Sequence, residues 1–433
     1  MKKLLLTILL VLTGTGLTAQ VKPKPWAAAA YTIGIDAFTW AYDRYVTGSE
    51  FAKISFSTMK HNLRTGFVWD SDRLATNHLG HPFNGGMYHV TSRLSGLNFW
   101  QALPYSTGGS LLWELFAEKE PPGLNDLIAT PLAGAALGEV FYRSLTRFLP
   151  GNTASRDRFP LSLSVTLGDR YMSDGADITA GGHYPVLRLA MEYGEPFDCT
   201  ENRPFDYFYG HTTLHIGSSD TQPLFNDVSI TGRIWGHELQ TGSDATEAVF
   251  GIWQQYDFYH QRSAKKGEDN PLFNFSETVA AGPGFMFRQQ GEKGTFRQAL
   301  FADIIGLGAV ENANLFIIER HYNMGSGFAL KSLSSIRLWD KVSLSFQARL
   351  FYLNTWGDYT TRGQDIDPLY TDTMGDKGHS WAFILSPAIQ VDVTRHWGLS
   401  LSASRYGRDS FYKSFPTAKS RTTELLTGVC YNF

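Results

Sequence analysis

A transmembrane antiparallel β-barrel of about twelve strands, preceded by an N-terminal α-helical segment, is the fold class this sequence predicts. Three observations predict it. From Pro160 onward apolar and polar residues alternate along strand after strand, the connections between those strands alternate between long and short, and the chain ends on an aromatic residue in an alternating segment.

The alternation is clearest in three places. Leu161, Leu163, Val165 and Leu167 alternate with Ser162, Ser164, Thr166 and Gly168. Val342, Leu344, Phe346, Ala348, Leu350 and Tyr352 alternate with Lys341, Ser343, Ser345, Gln347 and Arg349, with Phe351 breaking the rule at the end. Trp397, Leu399, Leu401 and Ala403 alternate with Gly398, Ser400, Ser402 and Ser404. A period of two gives a strand one apolar and one polar face. Extended over the segment, the pattern predicts strands near 160–168, 183–193, 205–217, 225–238, 246–258, 275–287, 295–307, 326–338, 341–352, 380–391, 396–405 and 422–433. The later connections then run long at 258–274, 308–325, 353–379 and 406–421 and short at 288–294, 339–340 and 392–395. Short periplasmic turns and long extracellular loops are the habit of outer-membrane barrels. The loop 353–379 is polar and acidic, with Asn354, Gly357, Asp358, Asp365, Asp367 and Asp372, as an exposed loop should be.

In the last strand Leu425, Thr427, Val429, Tyr431 and Phe433 share one face. Tyr431 and Phe433 resemble the terminal insertion signal that the barrel assembly machinery reads, which makes that machinery and outer-membrane lipids the expected partners. Trp397, Tyr352, Tyr431 and Phe433 sit near strand ends, where interfacial girdles belong. Arg188, Glu192, Arg233, His237, Arg337, Arg349 and Glu424 fall on the opposite face and are expected in the lumen. They mix both signs, so no single-sign selectivity ring is expected.

Composition agrees. The 433 residues carry 30 Phe, 20 Tyr, 11 Trp and 42 Gly with only 18% charged positions, yet the mean hydropathy is mildly negative. Beyond the N-terminus no run approaches the roughly 18 apolar residues of a spanning helix. So many large apolar side chains exclude disorder, and a net charge of −3 excludes a general field for nucleic acid. Lys2 and Lys3, the apolar run Leu4 to Leu12 and the small residues leading to Leu17-Thr18-Ala19 read as a cleaved signal peptide over residues 1–19. Cys199 and Cys430 are expected to stay unpaired.

Residues 20–159 lack strict alternation and are expected to form a helical segment that plugs the lumen or caps its periplasmic mouth, with a separate periplasmic domain as the other placement. The barrel is assigned to 160–433. Thr130-Pro131 predicts an N-cap followed by a helix from Leu132 to Phe148. Gly134 and Gly138 would let another backbone approach it closely, and Glu139 and Arg143 would pair across one turn.

The densest constellation runs Asn77-His78-Leu79-Gly80-His81-Pro82-Phe83-Asn84-Gly85-Gly86-Met87-Tyr88, then Arg93, Ser110, Trp113, Glu114, Glu118, Asp126, Thr130, Gly138 and Glu139. In order and spacing this resembles a bacterial outer-membrane family, domain of unknown function 3943. Its pattern maps here onto Asn77, His81, Pro82, Gly85, Tyr88, Arg93, Ser110, Trp113, Glu114, Glu118, Asp126, Thr130, Gly138 and Glu139 over about residues 50–150. One departure is Pro122-Gly123 where Pro-Ser is expected. The resemblance implies an outer-membrane location in a Gram-negative envelope and no established activity.

Two readings of these residues compete. In the first they fix the helical segment. His81, Pro82 and Gly85 form a helix entry, Arg93 satisfies Glu114 or Glu118, Asn125 or Asp126 caps a helix, and Tyr88, Trp100 and Trp113 pack. The chain is then a structural or transport-related envelope protein with a plugged lumen, requiring no cofactor, and a passive pore is a further class. In the second, His81, Glu114 and Asp126 are catalytic in an envelope hydrolase acting on a lipid or cell-wall substrate. A metal held by His78, His81 and Glu114 would activate water there. Three-residue spacing puts both imidazoles on one face only if they lie on a helix, which Pro82 disfavours at His81. Glu114 and Glu118, four apart, would share a face on a helix.

Overall fold

The computed structural model describes residues 22–70, 72–147, 160–174, 182–216, 224–262, 271–312, 322–357 and 375–433. The signal-peptide assignment, Phe148 and the acidic residues Asp358, Asp365, Asp367 and Asp372 lie outside them. The chain divides into two compact units, one helical and one a β-barrel.

Twelve antiparallel strands close the barrel: β1 Leu161–Asp174, β2 Gly182–Tyr193, β3 Phe208–His215, β4 Phe225–Leu239, β5 Thr246–Arg262, β6 Pro271–Gly291, β7 Gly294–Glu311, β8 Tyr322–Leu338, β9 Val342–Thr355, β10 Gly378–Asp392, β11 Trp397–Tyr412 and β12 Ala418–Asn432. Each pairs with its sequence neighbour, and β1 pairs with β12 from Ser164 opposite Asn432 to Asp174 opposite Thr422. All twelve strands read from the alternation are present. Several run further than the alternation does at the long-loop end. Arg405 to Ser410 stay laddered to Thr423 to Ala418, so the connection 406–421 contracts to 413–417. Beyond the lipid both faces meet water, so hydrogen bonding persists where the apolar row stops.

The outer face is apolar: Leu167 is 59% exposed, Ile304 72% and Leu330 48%. Exposed apolar area on this scale is stable only against lipid. Aromatic clusters occupy both rims. Trp397, Tyr431 and Phe433 meet edge to face at the short-turn end, and Phe328, Tyr352 and Trp381 meet toward the long-loop end.

The inner face carries the paired charges. Lys331 Nζ on β8 donates to Gln255, Asp257 and Glu277 at 2.6, 2.8 and 2.5 Å, reaching β5 and β6. Arg349 on β9 donates to Asp257 at 2.9 Å and to Tyr259 at 2.5 Å. Arg170 on β1 pairs with Glu424 on β12 and reaches Asp227 on β4 at 3.5 Å. Phe351 departs from the alternation because its ring joins a buried inner cluster, 4.5 Å from that of Phe275 on β6 and continuous with Tyr259, Phe273 and Tyr406.

One lumen assignment is corrected. A bulge between Arg233 and Trp235 shifts the β4–β5 register, and an extra residue inverts which face later side chains occupy. Arg233 is buried against Asp206 at 2.9 Å, whereas His237 is exposed and parallel to the ring of Trp235 at 6.4 Å. Cys199 and Cys430 are unbridged, as expected.

Leu330→Arg, on the lipid-facing row, should weaken folding into vesicles by about 2–4 kcal/mol. Ser345→Arg, on the polar inner row of β9, should cost clearly less. Urea titrations read by heat-modifiable migration check this, and equal losses would contradict the assignment of faces.

Candidate functional site

The helical unit consists of α1 Pro25–Tyr42, α2 Phe56–Thr65, α3 His81–Leu94, α4 Phe99–Phe116 and α5 Leu124–Arg147. Ser55 and Asn98 close capping boxes that begin α2 and α4. Close packing of α3 on α5 rests on glycine. A Cβ at Gly85 would lie 1.7 Å from the Thr130 carbonyl oxygen, one at Gly134 2.6 Å from the Gly85 backbone, and one at Gly138 2.7 Å from His89 Cβ. The family-motif glycines are therefore the points where two backbones touch, as the small-residue spacing predicts.

Two helix boundaries differ from the sequence reading. α5 begins at Leu124, so Thr130-Pro131 lies inside it and caps nothing. Packing of Gly85 against the Thr130 carbonyl holds that turn helical despite the proline. Asn125 caps no helix, because its side chain accepts from Asp70 N–H at 2.7 Å and donates to Asp126 at 2.8 Å. His81 is helical although Pro82 follows it. A π-helical turn over Thr76–Gly80 leads directly into α3, and the His81 N–H is taken by the Thr76 carbonyl. That wider turn advances fewer degrees per residue than an α-helix; His78 is buried, and the group that converges around His81 contains Glu114 and Asp126 and not His78.

Two buried polar nodes follow. In the first, Glu139 on α5 accepts from Arg93 and His89 on α3, the latter at 3.1 Å, and from Arg143 one turn along at 3.1 Å. Arg93 thus serves Glu139, and not Glu114 or Glu118 as the sequence suggested. Burial would raise the Glu139 carboxyl, but Arg93 first, then His89 and Arg143, hold it at about 2. Burial lowers His89, so its neutral ring supplies the hydrogen bond. Tyr88 donates to Asp36 on α1, whose carboxyl burial pushes up to about 7.

In the second node, His81 at the start of α3, Glu114 in the last turn of α4 and Asp126 in the first turn of α5 bring one potential ligand atom each within 4.8 Å of one another. His81 Nε2 lies 3.6 Å from Asp126 Oδ1. Glu114 Oε2 accepts the Gly123 N–H at 2.6 Å, while Oε1 is buried without a hydrogen-bond partner. Burial, and then the negative charges of Asp70 and Asp72, raise Glu114 to about 8, and burial with the charge of Glu114 raises Asp126 well above the carboxylate range. Glu118 lies beyond the end of α4, accepts from the Trp113 indole at 3.0 Å, and is raised by burial and by Glu114. Ser110 donates to the Asp126 carbonyl at 3.2 Å.

At Gly123, where the chain departs from the family pattern, a Cβ would lie 2.2 Å from Asp126 Oδ2, so a serine there would require the Asp126 side chain to shift. Asn77 is buried. Tyr88 and Trp113 are packed, whereas Trp100 is 55% exposed and contributes little packing. Sequence reasoning missed Asp36, His89 and Asn62. Asn62 is buried and donates to the Glu114 and Glu118 carbonyls at 3.2 and 3.0 Å. Partners 52 and 56 positions away in the chain leave no local signal of this link.

Residues 66–167 match the family described as "Domain of unknown function (DUF3943)", the family the motif resembles. The match runs from the end of α2 through the helices into β1. No curated protein matches the chain. Solved structures it is similar to include the NanC porin, at 11% identity and TM-score 0.31 over 61% of this chain and 98% of that one. The COG4313 outer membrane channel from Pseudomonas putida F1 follows at 10%, 0.30, 63% and 95%. The Pseudomonas putida toluene transporter TodX gives 8%, 0.25, 66% and 90%. Likeness at this level carries no argument about solute or mechanism; the barrel stands on its own strand pairing.

Glu139→Gln should destabilise the α3–α5 pair by about 3–5 kcal/mol, because it removes the buried charge shared by half-buried Arg93 and buried Arg143. Because its carboxyl sits near 2 when folded and at 4.5 ordinarily, the stabilisation is complete above the ordinary value and lost as pH falls toward 2. Hydrogen-exchange protection of the α3 and α5 amides, corrected for intrinsic rates, should decline over that window. An identical decline in Glu139→Gln would assign it elsewhere.

Proposed function

We propose that this chain is an integral outer-membrane protein of the transport-related class whose barrel rests closed. In this reading it is exported on a signal peptide, residues 1–19, that is then removed. Tyr431 and Phe433, outward at the end of β12, present the aromatic signal to the assembly machinery, and lipid covers the apolar rows.

The observation carrying the reading is the set of bonds across the lumen. Among the described residues, Lys331 and Arg349 tie β8 and β9 to β5 and β6 part-way along the strands. The Phe273, Phe275, Phe351 and Tyr406 cluster lies on their long-loop side. Toward the short-turn end the lumen instead widens into a cavity of about 590 Å³. Its wall includes Arg188, Arg297, Arg337, Arg349, Glu192 and Asp392. Arg297 pairs with Glu192 at 3.5 Å and Arg337 with Asp392 at 2.7 Å. A small-solute-sized cavity ending on a charged belt suits a gated or binding role better than free diffusion.

Planar bilayers containing the purified protein should show no steady channel steps. Lys331→Ala/Glu277→Ala, which removes one cation with one anion and leaves Asp257 paired with Arg349, should produce them while the barrel keeps its heat-modifiable migration. Steady steps from the unaltered protein would overturn the closed reading.

A further inference from the structure

The two polar nodes of the helical unit each join a glutamate to a histidine and differ in their charge balance. Around Glu139, one carboxylate meets two guanidinium groups and an imidazole. Around Glu114, the strongest charges acting on the buried carboxylates are further carboxylates: Asp70 and Asp72 on both Glu114 and Asp126, and Glu114 on Asp126. We infer that His81, Glu114 and Asp126 hold one divalent transition-metal ion, with Zn²⁺ as its type, tying the start of α3 to the end of α4 and the start of α5.

Three observations carry the assignment. The ligand atoms converge from three helices within 4.8 Å of one another. Ligand bonds of about 2.0–2.2 Å would draw them in by small side-chain shifts. Glu114 is 1% exposed, and its Oε1 is buried with no hydrogen-bond partner, while Oε2 is already fixed by the Gly123 N–H. A buried carboxylate oxygen left this way loses its hydration and gains nothing in return unless a proton or a cation meets it. Third, the two carboxylate ligands have supports of their own. Asn125 orients Asp126 at 2.8 Å, Asn62 holds the backbone of Glu114, and Gly123 leaves room for Asp126 Oδ2. Oriented ligands with their own hydrogen bonds are the usual outer shell of a metal centre.

The donor set selects the class of ion. One imidazole with two carboxylates suits borderline divalent metals such as Zn²⁺ or Mn²⁺. Ca²⁺ prefers six to eight oxygens and gains nothing from a ring nitrogen. The role assigned is structural: the ion neutralises the node and pins three helix ends.

The test uses the full chain in detergent, stripped with chelator and titrated with Zn²⁺, Mn²⁺ and Ca²⁺ separately. Elemental analysis after gel filtration should show one Zn²⁺ retained per chain. Hydrogen exchange should slow at the α3 start, the α4 end and the α5 start on addition of Zn²⁺. Glu114→Gln and His81→Ala should each weaken Zn²⁺ binding at least tenfold, since loss of an outer-shell partner alone typically costs about 10- to 100-fold. Glu120→Gln, at a nearby acid outside the triad, should bind as the unaltered chain does. Protection of α3–α5 in the metal-free variants confirms that they fold. Absence of stoichiometric Zn²⁺, or unchanged binding in folded Glu114→Gln and His81→Ala, would overturn the site. So would Ca²⁺ binding as tightly as Zn²⁺ with no effect of His81→Ala. These outcomes are independent of bilayer conductance, so the metal site and the closed lumen stand or fall separately.

Discussion

The pairing of β1 with β12 is the constraint on which the barrel depends. Hydrocarbon offers no partner to a backbone N–H or C=O, so a sheet placed there must have no edge. The ladder from Ser164 opposite Asn432 to Asp174 opposite Thr422 removes the last one. Once the sheet is closed, every strand has one face toward lipid and one toward the lumen. Outward Leu167, Leu330 and Leu401 and inward Arg170, Lys331 and Arg349 are two consequences of the same ring.

Closure also fixes what can be stored inside. A charge on the inner face cannot reach bulk water at mid-strand without an open channel, so it must find its opposite across the lumen. Lys331 with Asp257 and Glu277, and Arg170 with Glu424 and Asp227, answer that requirement from six strands. Such pairs are poor sources of net stability, because desolvation offsets most of the attraction. Their value lies in holding particular strands together at a particular height.

How much of this was legible in the sequence follows from how far each signal reaches. Alternation is local, and all twelve strands were visible in it because lipid enforces it residue by residue. It failed where a local count was broken. The bulge after Arg233 sent His237 outward, and strands such as β11 ran on past the lipid where no apolar row marks them. Phe351 looked like an error of pattern and is an inner-core residue, because a lumen filled by its own side chains accepts a ring as readily as a serine. In the helical unit the motif drew attention to the right residues, yet not to their partners. Arg93 was matched to the wrong glutamate, and α5 was started at Thr130, because the choice between Glu139 and Glu114 is made by helix packing alone. The glycine contacts that decide this packing were legible as spacing, but their target, the Thr130 carbonyl, was not.

The helical unit shows why residue types alone could not separate a structural motif from a site. Glu139 and Glu114 are both buried glutamates within the same family match, each near a histidine. Around Glu139 the helices bring guanidinium groups, and the carboxyl is driven to about 2. Around Glu114 they bring aspartates, and the carboxyl is driven to about 8. The difference arises because α3 presents Arg93 toward α5 at one end and His81 at the other, so a single helix supplies compensation to one node and withholds it from the second. A node compensated by the chain itself needs nothing further to be stable. A node that is not compensated must take up protons or a cation, and the convergence of His81, Glu114 and Asp126 from three helices is the geometry a cation needs.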